Sequence, residues 1–251
     1  MEARVTDKVV VITGGSRGIG RATALAAAAR GFRVVYASNK QAADEVVAQI
    51  EASNGKAIAV KCDVAEESDI LDLFKEADKF GTLGALVNNG GIVGKSGVRV
   101  DEMSAERIQR VMAVNVTGSI LCAREAVKRM STKHGGKGGV IVNLSSVAAK
   151  LGSPNTYVDY AASKGAIDSF TIGLGYEVAS EGIRVAGIRP GLIDTEIHAA
   201  GGEPDRAHRL AHLVPMKRVG TADEIANAIV WLLSDEASYV TAATLDVSGG
   251  R

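Results

Sequence analysis

The residues best suited to chemistry sit in one short run, Tyr160-Ala161-Ala162-Ser163-Lys164. A tyrosine and a lysine four apart on a helix share one face. A free phenol has a pKa of about 10, too high for a good base near neutrality, and a nearby ammonium pulls that value down. Tyr160 is therefore a candidate acid/base with Lys164 as the cation that tunes it. The same spacing is also common on solvated helix surfaces. Tyr157 competes, but its fourth successor is Ala161, which carries no charge. Upstream stands Ser145-Ser146, a pair that can equally be a helix cap.

A second candidate is Thr13-Gly14-Gly15-Ser16-Arg17-Gly18-Ile19-Gly20, directly after the apolar run 9–12. A glycine-rich turn between strand and helix lets the backbone approach a pyrophosphate, and the helix offers free N–H groups and the positive end of its dipole. The spacing is Gly-x-x-x-Gly-x-Gly, and glycines also make plain turns. Its weight comes from its place at the first strand-to-helix junction. Gly94-Lys95-Ser96 resembles the end of a P-loop, but the glycine required five residues earlier is replaced by Asn89. His208 and His212 are four apart with no third ligand at fixed spacing, so no metal site is expected. No Gly-x-Ser-x-Gly elbow is present, which argues against an α/β hydrolase.

These residues need elements to position them. Short apolar runs at 9–12, 33–36, 57–61, 85–87, 140–144, 184–188 and 243–247 read as strands. They alternate with helical patterns at 18–30, 41–53, 67–80, 104–133, 158–180 and 221–233. Ser104 reads as an N-cap, and Thr221 with Glu224 as a capping box. The charged stretch 65–79 alternates with apolar positions and reads as a solvated helix face. Nearly continuous apolar strands between helices call for a mostly parallel seven-stranded sheet covered on both faces. This is an α/β, doubly wound Rossmann-type fold, with ligand sites at the carboxyl ends of the strands. No linker or repeat divides the chain, so residues 1–251 are expected to form a single domain. The stretch 191–220 is richer in polar residues, proline, glycine and histidine. It reads as an inserted lid or substrate loop, with an ordinary surface excursion as the alternative.

With these motifs in place, the chain resembles the short-chain dehydrogenase/reductase family, in its ketoacyl-carrier-protein reductase and glucose-dehydrogenase-like branch. The matching residues run in order over essentially the whole chain. They are the loop from Thr13 to Gly20, Asn88-Asn89-Gly90-Gly91, Asn115, Ser145-Ser146, Tyr160 to Lys164, and Pro190-Gly191 with Thr195 following. Two departures stand out. Gly90 replaces the usual alanine of the Asn-Asn-Ala-Gly motif, and the stretch from Ser146 to Tyr160 is one residue longer than the commonest spacing. The latter leaves Ser145 and Ser146 in competition for the substrate, and Ser146 is chosen here. The resemblance implies an oxidoreductase that transfers a hydride between a nicotinamide and a carbonyl or alcohol of the 3-oxoacyl, sugar or small-ketone class. It implies Tyr160 as acid/base, Lys164 also holding the nicotinamide ribose, and Ser146 stabilising charge on the substrate oxygen. Asn115 would hold the water that links Lys164 to solvent. The implied cofactor contacts are Gly14, Ser16, Arg17, Gly18, Ile19, Gly20, Ser38, Asn39, Asp63, Val64, Asn89, Gly90, Tyr160, Lys164, Pro190, Gly191, Ile193 and Thr195. Asp63 would touch the adenine, although it could merely cap the next helix. The substrate pocket would be lined from 92–98, 150–157 and 191–214.

NAD sites usually carry an acid after the second strand. Here Tyr36-Ala37-Ser38-Asn39-Lys40 holds none, and the first acid is Asp44. With Arg17 in the glycine loop and Ser38 and Asn39 as donors, NADP(H) is favoured over NAD(H). An NAD-dependent enzyme of the same chemistry and a catalytically silent cofactor-binding sensor are the alternatives, and Asn115, Ser146, Tyr160 and Lys164 together argue against the sensor. Basic and acidic residues number 29 each, so net charge gives no footprint for nucleic acid or an anionic membrane. No apolar run approaches the ~20 residues of a membrane span, and residues 1–8 are charged and lead straight into a strand, unlike a signal peptide. Two distant cysteines, Cys62 and Cys122, make no disulfide framework. A cytoplasmic protein is expected. The long helices 104–133 and 158–180 exceed what covering one sheet demands. The resemblance implies that they pair between subunits of a homodimer or homotetramer, with Ala123, Ala126, Ala161, Ala162 and Ala166 permitting close contact.

Overall fold

The computed structural model describes residues 8–38 and 44–251. The apolar run that opens the described chain becomes β1 (Lys8–Thr13), buried at every position after Lys8. It is buried because it is central. β2 (Arg33–Ser38) pairs with one edge and β4 (Thr82–Asn88) with the other. With β3 (Lys56–Lys61), β5 (Gly139–Leu144), β6 (Ile183–Pro190) and β7 (Ala243–Val247), the strand order is β3-β2-β1-β4-β5-β6-β7, and every pair is parallel. The chain moves outward from β1 in one direction and then in the other. A crevice therefore opens at the carboxyl ends between β1 and β4.

Successive strand side chains face opposite sides. Val10 and Ile12 enter one core with α1 (Gly18–Ala29), α2 (Asp44–Ala52) and α10 (Ala222–Leu233). Val9 and Val11 enter the other with α3 (Glu67–Phe80) and α5 (Gly118–Met130). Each fully buried valine or isoleucine is worth roughly 1.5–3 kcal/mol relative to exposure. The start of α10 is set by its capping box: Thr221 Oγ1 accepts the Glu224 amide at 3.2 Å, and Glu224 accepts the Thr221 amide at 2.9 Å.

The single helix expected over 104–133 is interrupted. Ser104 caps α4 (Ala105–Met112) by accepting the Arg107 amide. Ala113–Thr117 then widens into a π-turn, and α5 follows. π-turns of this kind are frequent at functional sites, and here the turn carries Asn115. The helix ends at Met130, three residues early, because the Gly138 amide claims the Met130 carbonyl at 2.7 Å. The proposed contact alanines need correction as well. Ala123, Ala126 and Ala161 are buried within the chain, the first two in the core shared with α3. Only Ala162 is exposed, with Ala166 half-buried. The outward apolar side chains are instead Ile108, Ile120, Ile172 and Tyr176.

After α6 (Ala148–Leu151), α7 (Val158–Val178) carries Tyr160 and Lys164, and its last turn tightens before Gly182. Between β6 and α10 run two one-turn helices, α8 (Ile197–Ala200) and α9 (Arg206–Arg209). This segment is tied down at its flank, where Ser96 donates its amide to Gly201 at 2.9 Å and its hydroxyl to the Glu203 carboxylate. Among the described residues, no helix is long and apolar enough to cross a membrane.

α5 is fixed to α3 through Glu125, whose side chain is 4% exposed. It accepts from Arg124, Lys128 and Arg129, and Arg129 also grips Asp78 on α3 at 2.7 and 2.8 Å. Burial raises the Glu125 carboxyl, but the Lys128 and Arg129 hydrogen bonds outweigh it and hold the group below its ordinary value. A carboxyl depressed in the fold contributes stability above its unfolded pKa and loses it as pH falls. Glu125→Gln is therefore expected to lower stability at pH 7 by roughly 1–3 kcal/mol, with the gap closing only as pH falls below the ordinary 4.5. Thermal melts of both proteins from pH 7 to 3 check this, and a gap that stays constant below pH 4.5 would contradict it.

Candidate active site

The site is built at the carboxyl end of β1. Thr13 Oγ1 accepts the amides of Asn89 and Gly90 at 3.0 and 2.8 Å, and Asn89 Nδ2 returns bonds to the carbonyls of Thr13 and Gly14 at 2.8 and 3.0 Å. The two loops facing the crevice are thus cross-braced. The glycines follow from this closeness. A Cβ on Gly20 would lie 2.1 Å from the Gly14 carbonyl oxygen, and one on Gly15 would lie 2.5 Å from Tyr36 Cβ. Gly18, at φ +50°, faces Thr195 across the crevice, where a Cβ would come within 3.3 Å of Thr195 Cγ2. The narrow space between loop and opposite wall is a cradle that side chains would fill, and α1 points its amino end into it with no side-chain cap. These features fit a dinucleotide pyrophosphate.

The rest of the expected set is distributed around the same cavity. Gly14, Ser16, Arg17, Gly18, Ile19, Ser38, Asp63, Val64, Asn89 and Gly90 line it, as do Ser146, Tyr160, Lys164, Pro190, Gly191, Ile193 and Thr195. Gly20 braces the loop from behind, and Asn115 stands outside the wall. Asn39 lies outside the described residues. Arg17 is exposed and makes no ion pair among the described residues. Ser38 is buried at the end of β2. Asp63 forms a turn, its carboxylate accepting from the Ala65 amide at 3.0 Å and from Arg110 at 2.6 Å. Burial opposes its ionisation, but these two partners hold the carboxyl below its ordinary value.

At the reacting end, the two serines part company. Ser145 is buried and donates to the Lys164 carbonyl at 3.0 Å. Ser146 lies beside the Tyr160 hydroxyl, and its Oγ accepts the Ala148 amide at 3.1 Å. Asn115 accepts the Ile92 amide at 2.8 Å through Oδ1, while its Nδ2 donates to the Ile92 carbonyl and to Ser163 Oγ, each at 3.0 Å. Ser163 in turn donates to the Tyr160 carbonyl at 2.7 Å.

The electrostatics depart from the sequence expectation. Lys164 is buried, with Nζ donating to the Leu144 carbonyl at 2.7 Å and standing 5.6 Å from the Tyr160 ring centroid. Burial pushes its ammonium down to about 8, against the pull of Asp168. Tyr160 is not lowered. Packing around the hydroxyl pushes it above 10, only partly offset by Ser146 and the charge of Arg206. The physical reason is that the phenol is itself desolvated, which disfavours the charged phenolate by more than its neighbours return.

Sequence reasoning placed Tyr157, His198 and Arg206 within the expected pocket stretches but missed their contacts, and it missed other parts of the site altogether. Thr13 and Gly15 belong to the glycine motif but have roles visible only in the packing. Tyr157 is buried against Tyr160, ring centroids 6.4 Å apart, and Arg206 stacks over it at 5.2 Å. His198 donates to the Ile193 carbonyl at 3.1 Å, and burial lowers its pKa. Arg107 clamps Asp159, at the start of α7, with bonds of 2.8 and 3.0 Å. No spacing in the sequence pairs 107 with 159.

Comparison with known proteins places this architecture. The family model described as enoyl-(acyl carrier protein) reductase matches residues 14–251. The uncharacterized oxidoreductase YgfF of Escherichia coli K12 is 54% identical over 97% of this chain and 99% of its own. Among solved structures, a 3-oxoacyl-[acyl-carrier protein] reductase with bound NAD from Brucella melitensis superposes with a TM-score of 0.90 at 34% identity, covering 99% of this chain and 92% of that one. A protein described as an NAD(P)-dependent gluconate 5-dehydrogenase from Beutenbergia cavernae, with bound NADP, also gives 0.90, at 31% identity over 100% and 98%. Matched from the glycine loop to its last residue, the chain belongs to the short-chain dehydrogenase/reductase family of oxidoreductases.

Proposed function

We propose that the protein transfers a hydride between NADP(H), in preference to NAD(H), and a carbonyl or alcohol substrate of the 3-oxoacyl, sugar or small-ketone class. The observation that carries this reading is the convergence of Ser146, Tyr160 and Lys164 on one cavity wall, with Lys164 Nζ 5.6 Å from the Tyr160 ring centroid. The glycine loop, Asp63 and Val64 would hold the dinucleotide, with Gly90 and the 190–195 segment on the far side. Bound there, the nicotinamide would supply the hydride. In reduction Tyr160 donates the proton, and a phenol kept neutral by its packing is in the state a donor needs. Ser146 hydrogen-bonds the substrate oxygen and stabilises charge developing on it. Lys164, when protonated, favours the phenolate that results and reaches the ribose. Asn115 positions the Ile92 backbone and, through Ser163, the first turn of α7, and in this reading it also serves the proton path to Lys164.

The NADP preference is supported by the exposed Arg17 and by the absence of an acid from 36 to 40. An acid there would repel a 2′-phosphate, whereas a guanidinium can bind one. We further propose that the chain acts as one catalytic unit in the cytoplasm, with 191–220 as its lid, and assembles as a homodimer or homotetramer. The exposed Ile108, Ile120, Ile172 and Tyr176 on the long helices support assembly.

Three outcomes follow. Tyr160→Phe is expected to cut turnover by roughly 10²- to 10⁴-fold while NADPH binding, read by fluorescence, stays unchanged. In parallel titrations NADPH should bind more tightly than NADH, and failure of both to bind would refute hydride transfer. Lys164 gives a stability signature. Its folded pKa of about 8 lies below the ordinary 10.5, so its burial is fully unfavourable below pH 8 and ceases to be so as pH rises towards 10.5. Lys164→Met should therefore be inactive yet more stable at pH 7 by up to about 3 kcal/mol, with the gain shrinking above pH 8. Chemical denaturation at pH 7 and 10 measures it.

A further inference from the structure

The cavity holds two guanidinium groups that the hydride-transfer reading does not use. Arg206 lies on the Tyr157 ring, 5.2 Å from its centroid, and Tyr157 in turn abuts Tyr160. Among the described residues the Arg206 side chain makes no hydrogen bond or ion pair. Arg251 lines the same cavity, and its Nη1 is buried without a hydrogen-bond partner among the described residues. A guanidinium carries five N–H donors and stays charged. Leaving such donors buried and unmet is costly, and a carboxylate or phosphate meets them two at a time.

The acids of the neighbouring segment do not neutralise this pair. Glu203 is taken by Ser96 and Arg209, and Asp194 lies 3.4 Å from His208. Glu196 is exposed and leans towards Gly18, on the opposite, glycine-loop side. Arg206 and Arg251 repel one another, and the charge of Arg206 is felt at the Tyr160 hydroxyl and at His198. Two like charges in one cavity, with Arg206 stacked on the Tyr157 ring beside the proton donor, are a site for an anion on the substrate. From this the geometry points to a carbonyl substrate that bears a carboxylate or phosphate, held by Arg206 and Arg251 while its carbonyl faces Ser146 and Tyr160.

This rests on the hydride-transfer reading, and the test separates the two. The Tyr160→Phe protein is loaded with NADPH, which forms an unreactive complex, and calorimetry follows binding of 4-oxopentanoate against its methyl ester. Dihydroxyacetone phosphate against dihydroxyacetone forms the phosphate arm. In one arm or the other the anion is expected to bind about 30-fold more tightly than its neutral partner, and the arm that responds identifies the group. Arg206→Gln and Arg251→Gln should each erase most of that ratio without changing the neutral partner's affinity, and Arg206→Lys should restore part of it. With Tyr160 intact, the same ratio should appear in KM, with kcat little changed. Equal affinities for anion and neutral partner in both arms would overturn the proposal, as would variants that weaken both partners alike while melting as the parent does. Failure of NADPH to bind at all would instead remove the hydride-transfer reading, and this inference with it.

Discussion

The cross-brace at Thr13 is the constraint on which the site depends. Parallel strands leave their carboxyl-end loops free to splay, and here one hydroxyl and one carboxamide hold two of them together. The brace works only if the backbones come close. Gly14 therefore sits at φ +67° with no room beside Gly90, and Gly20 passes directly behind the Gly14 carbonyl. A loop held this tightly can present backbone amides to an anion without a side chain in the way. Deeper down, Asn88 donates to Asn143, which donates to Thr171, joining β4, β5 and α7 below the crevice. The polar groups of this ladder are buried, so each must find a partner within the fold. That requirement fixes how α7 lies on the sheet.

The orientation of α7 then decides the chemistry. Its amino end is held by Arg107 clamping Asp159, and its first turn by the chain from Ile92 through Asn115 to Ser163. Both supports come from the interrupted helix, Arg107 from α4 before the π-turn and Asn115 from the π-turn itself. A straight helix would carry residues 107 and 115 on a fixed spacing. The wider turn resets their phase, so that each meets α7 and its neighbouring loop where it is needed. Tyr160 and Lys164 then come to the cavity one helical turn apart, and Ser146 meets the phenol from the loop after β5.

Much of this was legible in the sequence because the periodicities are strong. Seven apolar runs alternating with six helical patterns leave little choice but a parallel sheet, and every predicted strand overlaps an observed one. The capping residues Ser104 and Thr221 were readable because a cap is a local bond between a side chain and an amide two or three residues on. Features that depend on distant partners were not readable. The π-turn has no local signature, since it is held by Ile92, more than twenty residues away. Ala123 and Ala126 carry no mark that tells an inward alanine from an outward one. The behaviour of Tyr160 failed for a related reason: spacing puts a cation nearby, but only packing says how far both groups are desolvated. Arg251 lies far along the chain from the rest of the cavity, and no motif links it to Arg206.

The buried lysine shows how stability and function are set against each other here. Lys164 is nearly sealed from solvent and keeps one hydrogen bond, to the Leu144 carbonyl. An apolar side chain of similar volume would pack in its place at lower cost. Its partner carboxylate is held elsewhere, because Asp168 accepts from Arg189 at 2.8 Å. The amine is thus left poised near neutrality, close to the Tyr160 phenol. A full ion pair would stabilise the fold better and would fix the charge, and in the proposed hydride transfer neither group could then follow the proton. The strength of the surrounding frame, from the braced loops to the clamped helix, is what allows the site to retain a lysine so poorly matched to its own stability.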